Sequence, residues 1–310
     1  MSFNKIDINK LFYSFIAIHL ILWTLIPSLT NNNLPLDTIE ALAWGSNLDW
    51  GFDKHPPGSA FFPEIIFQIF GSQDWAYYLL SQIFVIIAFT VVFKFSKEIF
   101  KNKTLSLISV ILLEGIYFYN FTTPEFNVNV CQLPFWALSV YYSWKLFDKQ
   151  EVSIKDCFLL GVFAAIGFLS KYLFIYLLLT IDLLFFYVIF IKKYKKFDFK
   201  HLISLEVFIV LLIPHLIWLT NNNYTTVIYG LARTGLENSN LLNHITYPLI
   251  FIGKQIGILI PFFIMSFFLI KKLKFKISLK DKKLLFLMFV NLVPIGLMFL
   301  TSVITGSRIR

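Results

Sequence analysis

Residues 75–93 read WAYYLLSQIFVIIAFTVVF and contain no charged side chain. Apolar runs of about 18 residues or more are long enough to cross a bilayer as a helix. Hydrophobic residues make up 57% of the 310-residue chain, and charged residues only 15%. Only helices cross lipid in such runs, because each backbone N–H and C=O must be paired within the segment. The sequence therefore predicts an all-α, polytopic transmembrane helix bundle.

Similar runs on both sides of this segment bring the predicted number of spans to nine. They are 11–29, 75–93, 105–121, 128–147, 157–170, 173–191, 202–219, 247–270 and 283–302. With nine spans, 21 of the 27 lysine and arginine residues fall on one side of the membrane. The positive-inside rule makes that side, and with it the N-terminus, cytoplasmic. The net charge of +9 then indicates contact with membrane lipids, and no nucleic-acid partner is expected.

The predicted single transmembrane domain, residues 1–310, has two sizeable outer loops, 30–74 and 220–246. The first loop contains LPLDTIEALAWGSNLDWGFDKHPPG at residues 34–58. Its pattern predicts a short helix over 36–47, in which Asp37 and Glu40 share a face. Residues 60–70, AFFPEIIFQIF, are too few to span and predict a helix lying in the membrane interface. The prolines that follow Lys54 and His55 predict an extended segment there.

The acidic pair of this loop allows two interpretations. Asp37 and Glu40 could hold a divalent cation, or one of them could act as a general base. An aspartate and a glutamate at this spacing also match a helix capping box. Lys54 and His55 could bind a phosphate or a metal ion. Alternatively, the two prolines only form a turn that returns the chain to the membrane.

Further charged residues lie near the outer side or inside the spans. Arg233 in the second outer loop could bind a phosphate. Lys254 and Glu114 fall within predicted spans, where a charge usually faces a cavity or a partner. Lys254 could instead extend its ammonium group to the headgroups. No phosphate-binding glycine motif is present, so no nucleotide cofactor is expected.

Several of these stretches together resemble a known family. They are LDTIEALAWG at 36–45, LDWGFDKHPP at 48–57, TPEFNVNVCQLPFWAL at 123–138 and GFLSKY at 167–172. The chain resembles bacterial GT-C glycosyltransferases of the protein O-mannosyltransferase and aminoarabinose-transferase type, including the lipopolysaccharide-core galacturonosyltransferase-like group. The likeness extends over nearly the whole chain.

The resemblance implies a multi-pass enzyme of the bacterial inner membrane. Such an enzyme moves a sugar from a polyprenyl-phosphate donor, such as undecaprenyl phosphate, to a lipid or glycan acceptor of the lipopolysaccharide type at the periplasmic face. It also implies that Asp37 is the general base and that Glu40 is the second acidic residue. A divalent cation would be held by Glu40 and His55. The implied contacts to donor phosphate or substrate are Lys54, His55, Glu125, Asn129, Lys171 and Tyr172. Arg233 and Lys254 are added to these contacts on chemical grounds, because a departing lipid phosphate needs cations to stabilise its charge.

Two departures from the family pattern bear on these expectations. Phe52, Asp53 and Gly58 stand where Gly-Tyr-Tyr and Leu are usual, which affects the geometry around His55. Relatives usually continue with further spans, so a natural short form, a truncated chain or an inactive remnant stays open. A transporter or lipid flippase is the alternative class, in which embedded charges would mark a translocation path.

Overall fold

The structure is a computed structural model, and it describes residues 7–235, 240–270 and 281–309. Throughout these residues the secondary structure is helical, without a β-strand. Residues 236–239 of the second outer loop, and residues 271–280 between the last two predicted spans, lie outside the described residues. The prediction of an all-α fold is confirmed for the described part of the chain.

The α-helices of the described residues follow one another along the chain. They are α1 (Ile8–Thr30), α2 (Leu36–Gly45), α3 (Gly58–Phe70), α4 (Asp74–Phe100), α5 (Lys103–Ile111), α6 (Val128–Asp148), α7 (Ile154–Ser170), α8 (Ile175–Phe186), α9 (Leu202–Asn221), α10 (Thr225–Arg233), α11 (Asn243–Ile258), α12 (Ile260–Ile270) and α13 (Lys282–Thr305). Helices α2 and α3 confirm the two short helices predicted in the first outer loop, with ends that differ by about two residues.

Five helical stretches are long and apolar enough to cross a membrane. They are Ile8–Thr30, Asp74–Phe100, Tyr172–Ile191, Phe199–Asn221 and Lys282–Thr305. Helices α11 and α12 qualify as a sixth span if they are taken together. Five or six spans by length and composition are therefore found in the described residues, and the predicted count of nine is not confirmed.

Three predicted spans do not qualify, each for a physical reason. The span at 105–121 is not one helix, because α5 ends at Ile111 and two short 3₁₀ turns follow, Leu112–Gly115 and Tyr117–Tyr119. Helix α6 is long enough but includes polar residues such as Asn129 and Gln132. Helix α7 has 17 residues, fewer than the roughly 20 that a span needs.

The chain divides into two compact units. The first comprises the described residues of Met1–Asp49, Gly58–Tyr141 and Ile260–Lys272. Its core lies where α1, α4 and α5 pack together, and the rings of Phe12 and Phe93 stack there with centroids 4.1 Å apart. Helix α3 packs closely on α2, since a Cβ at Gly45 would lie 2.7 Å from the carbonyl oxygen of Ala60.

The second unit comprises the described residues of Trp50–Pro57, Tyr142–Leu259 and Leu273–Arg310. Helices α7 and α9 pack directly against each other, and a Cβ at Gly161 would lie 2.5 Å from the carbonyl oxygen of Ser204. Small residues allow such close approach of helices within a bilayer. The segment Trp50–Pro57 belongs to this unit although the residues on both sides of it belong to the first.

Candidate functional site

The acidic candidates lie at the N-terminus of α2 in the first unit. Pro35 is the N-cap residue of this helix, and no side chain caps it. Asp37 is the second residue of the helix, so the capping-box interpretation is wrong. The side chain of Asp37 is exposed, while Glu40, one turn later, is partly buried. A carboxylate near a helix N-terminus is stabilised by the helix dipole.

A loop from the same unit docks against this helix end. The backbone N–H of Asp37 donates to Oε1 of Glu125 at 3.1 Å, and the Thr38 hydroxyl donates to the carbonyl oxygen of Phe126 at 3.2 Å. The structure therefore brings the predicted residue Glu125 to the turn of α2 that carries Asp37. These two carboxylates, one exposed and one held by a backbone N–H, form an acidic candidate cluster within the first unit.

Asn129 is held in the first turn of α6 just beyond this loop. The Asn127 side chain caps the helix, because its Oδ1 accepts the backbone N–H of Asn129 at 2.9 Å and that of Val130 at 3.2 Å. The Asn127 amide also reaches Oε2 of Glu125 at 3.4 Å. Asn127 thus holds the loop that carries Glu125, and it also holds the backbone of Asn129 at the start of α6.

The basic candidates lie in the second unit. Lys171 follows the last residue of α7, and burial of its ammonium group, together with the nearby charge of Arg233, lowers its pKa to about 8. Arg233 is exposed in the last turn of α10. The structure therefore brings two of the predicted phosphate contacts close enough to repel each other. Such a pair of cations is stabilised when an anion binds between or beside them.

Tyr172 contacts a residue that the sequence analysis missed. Its hydroxyl lies 2.7 Å from Nε2 of His215, whose side chain is fully buried in α9. Nδ1 of His215 lies 2.6 Å from the carbonyl oxygen of Trp50. An imidazole inside the apolar run 202–219 was the available signal, since ionisable groups within spans usually have a specific partner.

Lys54 and His55 lie in a turn and not in the extended segment that the prolines predicted. The backbone N–H of Phe52 donates to the carbonyl oxygen of His55 at 3.1 Å, which closes the turn. The Phe52 carbonyl oxygen in turn accepts the hydroxyl of Thr226 at 2.5 Å. Both Lys54 and His55 are partly buried. The turn is thus attached to α9 and α10 by its backbone, and it presents a lysine and a histidine side by side.

Lys254 is not brought to these residues by any described contact. It is exposed on α11, and no hydrogen bond or ion pair joins it to another described residue. The predicted cation ligands Glu40 and His55 belong to different units. Within 7–235, 240–270 and 281–309, three or more His, Cys, Asp or Glu side chains do not cluster as metal ligands. The described residues therefore do not form a recognisable metal centre.

Glu114, singled out as an embedded charge, has partners in the first unit. Its Oε1 lies 2.7 Å from Nδ1 of His19, a buried residue of α1. The Asn120 amide donates to the Glu114 carbonyl oxygen at 2.9 Å and to Oε2 at 3.1 Å. This pairing satisfies the carboxylate and the backbone where the helix breaks after Ile111.

The long apolar helices agree with the protein family that the sequence matches. A sequence model of the dolichyl-phosphate-mannose-protein mannosyltransferase family matches residues 54–218, just over half of the chain. The chain belongs to this family, within the GT-C superfamily of glycosyltransferases. It is accordingly a multi-pass membrane protein. The match includes Lys54, Glu125 and Lys171 and begins after Asp37 and Glu40, whose roles stay predictions.

A curated relative adds a second, shorter match. The chain is 29% identical over 110 residues to the undecaprenyl phosphate-alpha-4-amino-4-deoxy-L-arabinose arabinosyl transferase of Wigglesworthia glossinidia brevipalpis. This match covers 33% of the chain and 18% of that relative. No solved structure matches the chain significantly.

Proposed function

We propose that the protein is an inner-membrane glycosyltransferase that moves a sugar from a polyprenyl-phosphate donor to a lipid or glycan acceptor at the periplasmic face. Its N-terminus is cytoplasmic in this proposal. Family membership supports glycosyl transfer, and the name of the relative supports a lipid-phosphate donor. The observation that carries the proposal is a largely buried cation, Lys171, which lies within electrostatic range of a second cation, Arg233, in the second unit.

The chemistry of a lipid-phosphate donor explains two neighbouring cations. When the sugar leaves, the bond to the phosphate oxygen breaks and negative charge develops on the phosphate. Cations placed beforehand stabilise this charge more strongly than water does, because they need no reorganisation. Lys171 supplies a partly buried ammonium, and Arg233 supplies a guanidinium that can hold two phosphate oxygens at once. Lys54 and His55 are proposed as further contacts to the same phosphate.

The acceptor hydroxyl needs a base, and Asp37 is proposed for this role. Its carboxylate is exposed at the N-terminus of α2, so an acceptor can approach it. Asp37 would take the hydroxyl proton while the acceptor oxygen attacks the anomeric carbon with inversion. Glu125 holds the backbone of Asp37, and Glu40 supports the acidic side one turn later. Asn129 and Tyr172 are proposed as substrate contacts, and Lys254 as a contact to lipid headgroups or donor phosphate.

A divalent cation has no step in this mechanism. The family resemblance suggests Glu40 and His55 as its ligands, but the described residues do not bring together a ligand set of the usual kind. The proposed roles of the chain's own residues, proton acceptance by Asp37 and charge stabilisation by Lys171 and Arg233, do not depend on it.

Binding of a lipid phosphate tests the proposal directly. The full chain in detergent micelles is titrated with undecaprenyl phosphate and with undecaprenol, which lacks the phosphate. We expect at least about tenfold tighter binding of the phosphate, since a charge-assisted contact contributes about 1.5–3 kcal/mol. Lys171→Met should remove most of this preference. Lys155→Met, which removes an exposed lysine at the other end of α7, should not. Equal binding of the two lipids by the parent protein would overturn the proposal.

A further inference from the structure

The segment Trp50–Pro57 is fixed by side chains that come from distant helices of the second unit. His215 of α9 lies 2.6 Å from the carbonyl oxygen of Trp50 through Nδ1 and 2.7 Å from the Tyr172 hydroxyl through Nε2. The His215 side chain is fully buried. A buried histidine that makes two short hydrogen bonds is expensive to replace, because each unmade bond leaves a polar group without water.

The two hydrogen bonds of His215 have defined directions. A carbonyl oxygen can only accept, so Nδ1 of His215 must carry the proton that is donated to Trp50. In the neutral imidazole Nε2 is then an acceptor, and the Tyr172 hydroxyl donates to it. The His215 side chain thereby links the backbone of Trp50, in the first outer loop, to Tyr172, which follows Lys171 in the chain.

Two further contacts hold the residues next to Trp50. Gly51 lies directly on the indole ring of Trp218, where a Cβ would be 2.3 Å from a ring carbon. The Thr226 hydroxyl donates to the carbonyl oxygen of Phe52 at 2.5 Å. Three consecutive residues are therefore held by three different side chains of α9 and α10. The turn that follows contains Lys54 and is closed by the Phe52 N–H.

From this arrangement we infer that His215 is a positioning residue, which sets the turn of Lys54 and His55 and the adjacent Tyr172 for binding of a lipid phosphate. The inference rests on the proposed function for the identity of the ligand. The placement of the turn by His215 does not depend on it. His215 itself is covered by its two partners, so it acts through them and not on the phosphate.

Two amide substitutions separate the two bonds of His215. The amide nitrogen of His215→Asn takes a place close to that of Nδ1 and can keep the bond to Trp50. The amide of His215→Gln reaches the place of Nε2 and can keep the bond to Tyr172, but it loses the bond to Trp50. His215→Ala removes both. His201→Ala is the matched control, because the hydrogen bond of this histidine stays within its own turn.

Trypsin cleavage after Lys54 in the ligand-free full chain reports how firmly the turn is held. Cleavage requires local opening, whose population rises about tenfold when one buried hydrogen bond is lost. We expect parental cleavage rates in His215→Asn and His201→Ala, and rates about tenfold higher in His215→Gln and His215→Ala. The affinity for undecaprenyl phosphate should fall in all three His215 variants, in His215→Asn because the bond to Tyr172 is lost, and it should stay at the parental value in His201→Ala. Parental cleavage and affinity in His215→Ala would overturn the inference.

A second pair of variants covers the case in which the His215 substitutions prevent folding. Thr226→Val removes the hydroxyl that holds Phe52 and that also hydrogen-bonds Tyr172, and Thr226→Ser restores it. Faster cleavage after Lys54 in Thr226→Val, reversed in Thr226→Ser, supports the placement of the turn from α9 and α10; unchanged cleavage contradicts it. If the parent protein does not bind undecaprenyl phosphate at all, the proposed function fails, whereas cleavage still decides whether His215 sets the turn.

Discussion

The charge of Lys171 can be changed by pH alone, which makes it the most direct probe of the proposed phosphate site. Burial first, and the neighbouring Arg233 second, lower the pKa of Lys171 to about 8, from its ordinary value of 10.5. Because the pKa is lowered, the ammonium form is present below about pH 8 and is lost as the pH rises through that value. Binding of an anion should therefore weaken between pH 7 and pH 9.

The size of the effect follows from the pKa. With a pKa of about 8, Lys171 is protonated in roughly 90% of molecules at pH 7 and in roughly 10% at pH 9. If binding requires the ammonium, the apparent association constant falls about tenfold over this range. The second ionisation of a phosphate lies near pH 6, so the ligand keeps most of its charge throughout. A lysine with an ordinary pKa would lose only about 4% of its charge by pH 9.

The assay is a titration of the full chain in detergent micelles with undecaprenyl phosphate at several pH values from 7 to 9. Lys171→Arg stays charged in this range, so its affinity should not change with pH. Arg233→Gln removes one cause of the lowered pKa and should move the midpoint to higher pH. A flat profile in the parent protein, or the same decline in Lys171→Arg, would refute the reasoning.

Three other predictions concern catalysis and packing. Asp37→Asn should lower sugar transfer by about 10²–10⁴-fold in an assay with a lipid-linked sugar, because a general base contributes that much. Gly161→Ala should destabilise the protein by about 1–3 kcal/mol in thermal or denaturant unfolding, since its Cβ would overlap a backbone carbonyl of α9. Glu114→Ala should cost about 1.5–3 kcal/mol in the same measurement, because it removes the carboxylate that hydrogen-bonds the buried His19.

Controls distinguish these outcomes from general damage. Asp37→Asn should leave expression and the unfolding midpoint unchanged, and full transfer activity in this variant would exclude Asp37 as the base. Gly257→Ala, at a position with open space around it, should not destabilise the protein. If Gly161→Ala is as stable as Gly257→Ala, the close packing of α7 on α9 is wrong. Glu206→Ala is the control for Glu114→Ala, because it removes an exposed carboxylate and should leave the unfolding midpoint unchanged. If Glu114→Ala also leaves the midpoint unchanged, the pairing of Glu114 with His19 is wrong.

The helical class and the short helices of the first loop could be predicted from local sequence. Residues 75–93 are apolar throughout, and a run of this kind has few alternatives to a helix in lipid. The break after Ile111 could not be predicted in this way. It depends on Asn120, which donates to the carbonyl oxygen of Glu114, and on His19, which comes from another helix. The hydropathy of 105–121 alone therefore indicated a single span.

The sequence indicated which residues belong to the candidate site, but it did not indicate which of them contact each other. The approach of Glu125 to Asp37 joins residues 88 positions apart, and spacing within either segment does not reveal it. The capping-box interpretation used a local pattern, and it failed because Pro35 is the N-cap and Leu36 the first helical residue, so Asp37 lies inside the first turn. His215 was missed because the prediction rested on charged residues of the loops, although an imidazole in an apolar run was visible.

Trp50 and Phe52 bond to side chains of α9 and α10, so the segment that contains them can reach its final structure only after those helices have been synthesised. Trp50 is made 165 residues before His215, and Phe52 is made 174 residues before Thr226. At a synthesis rate of about 5–20 residues per second, the segment waits roughly 8–35 s for its partners to be made. During that interval the turn of Lys54 and His55 lacks the side chains that fix it. A nascent chain released before α9 is inserted would therefore carry the first loop without a defined turn at Lys54 and His55.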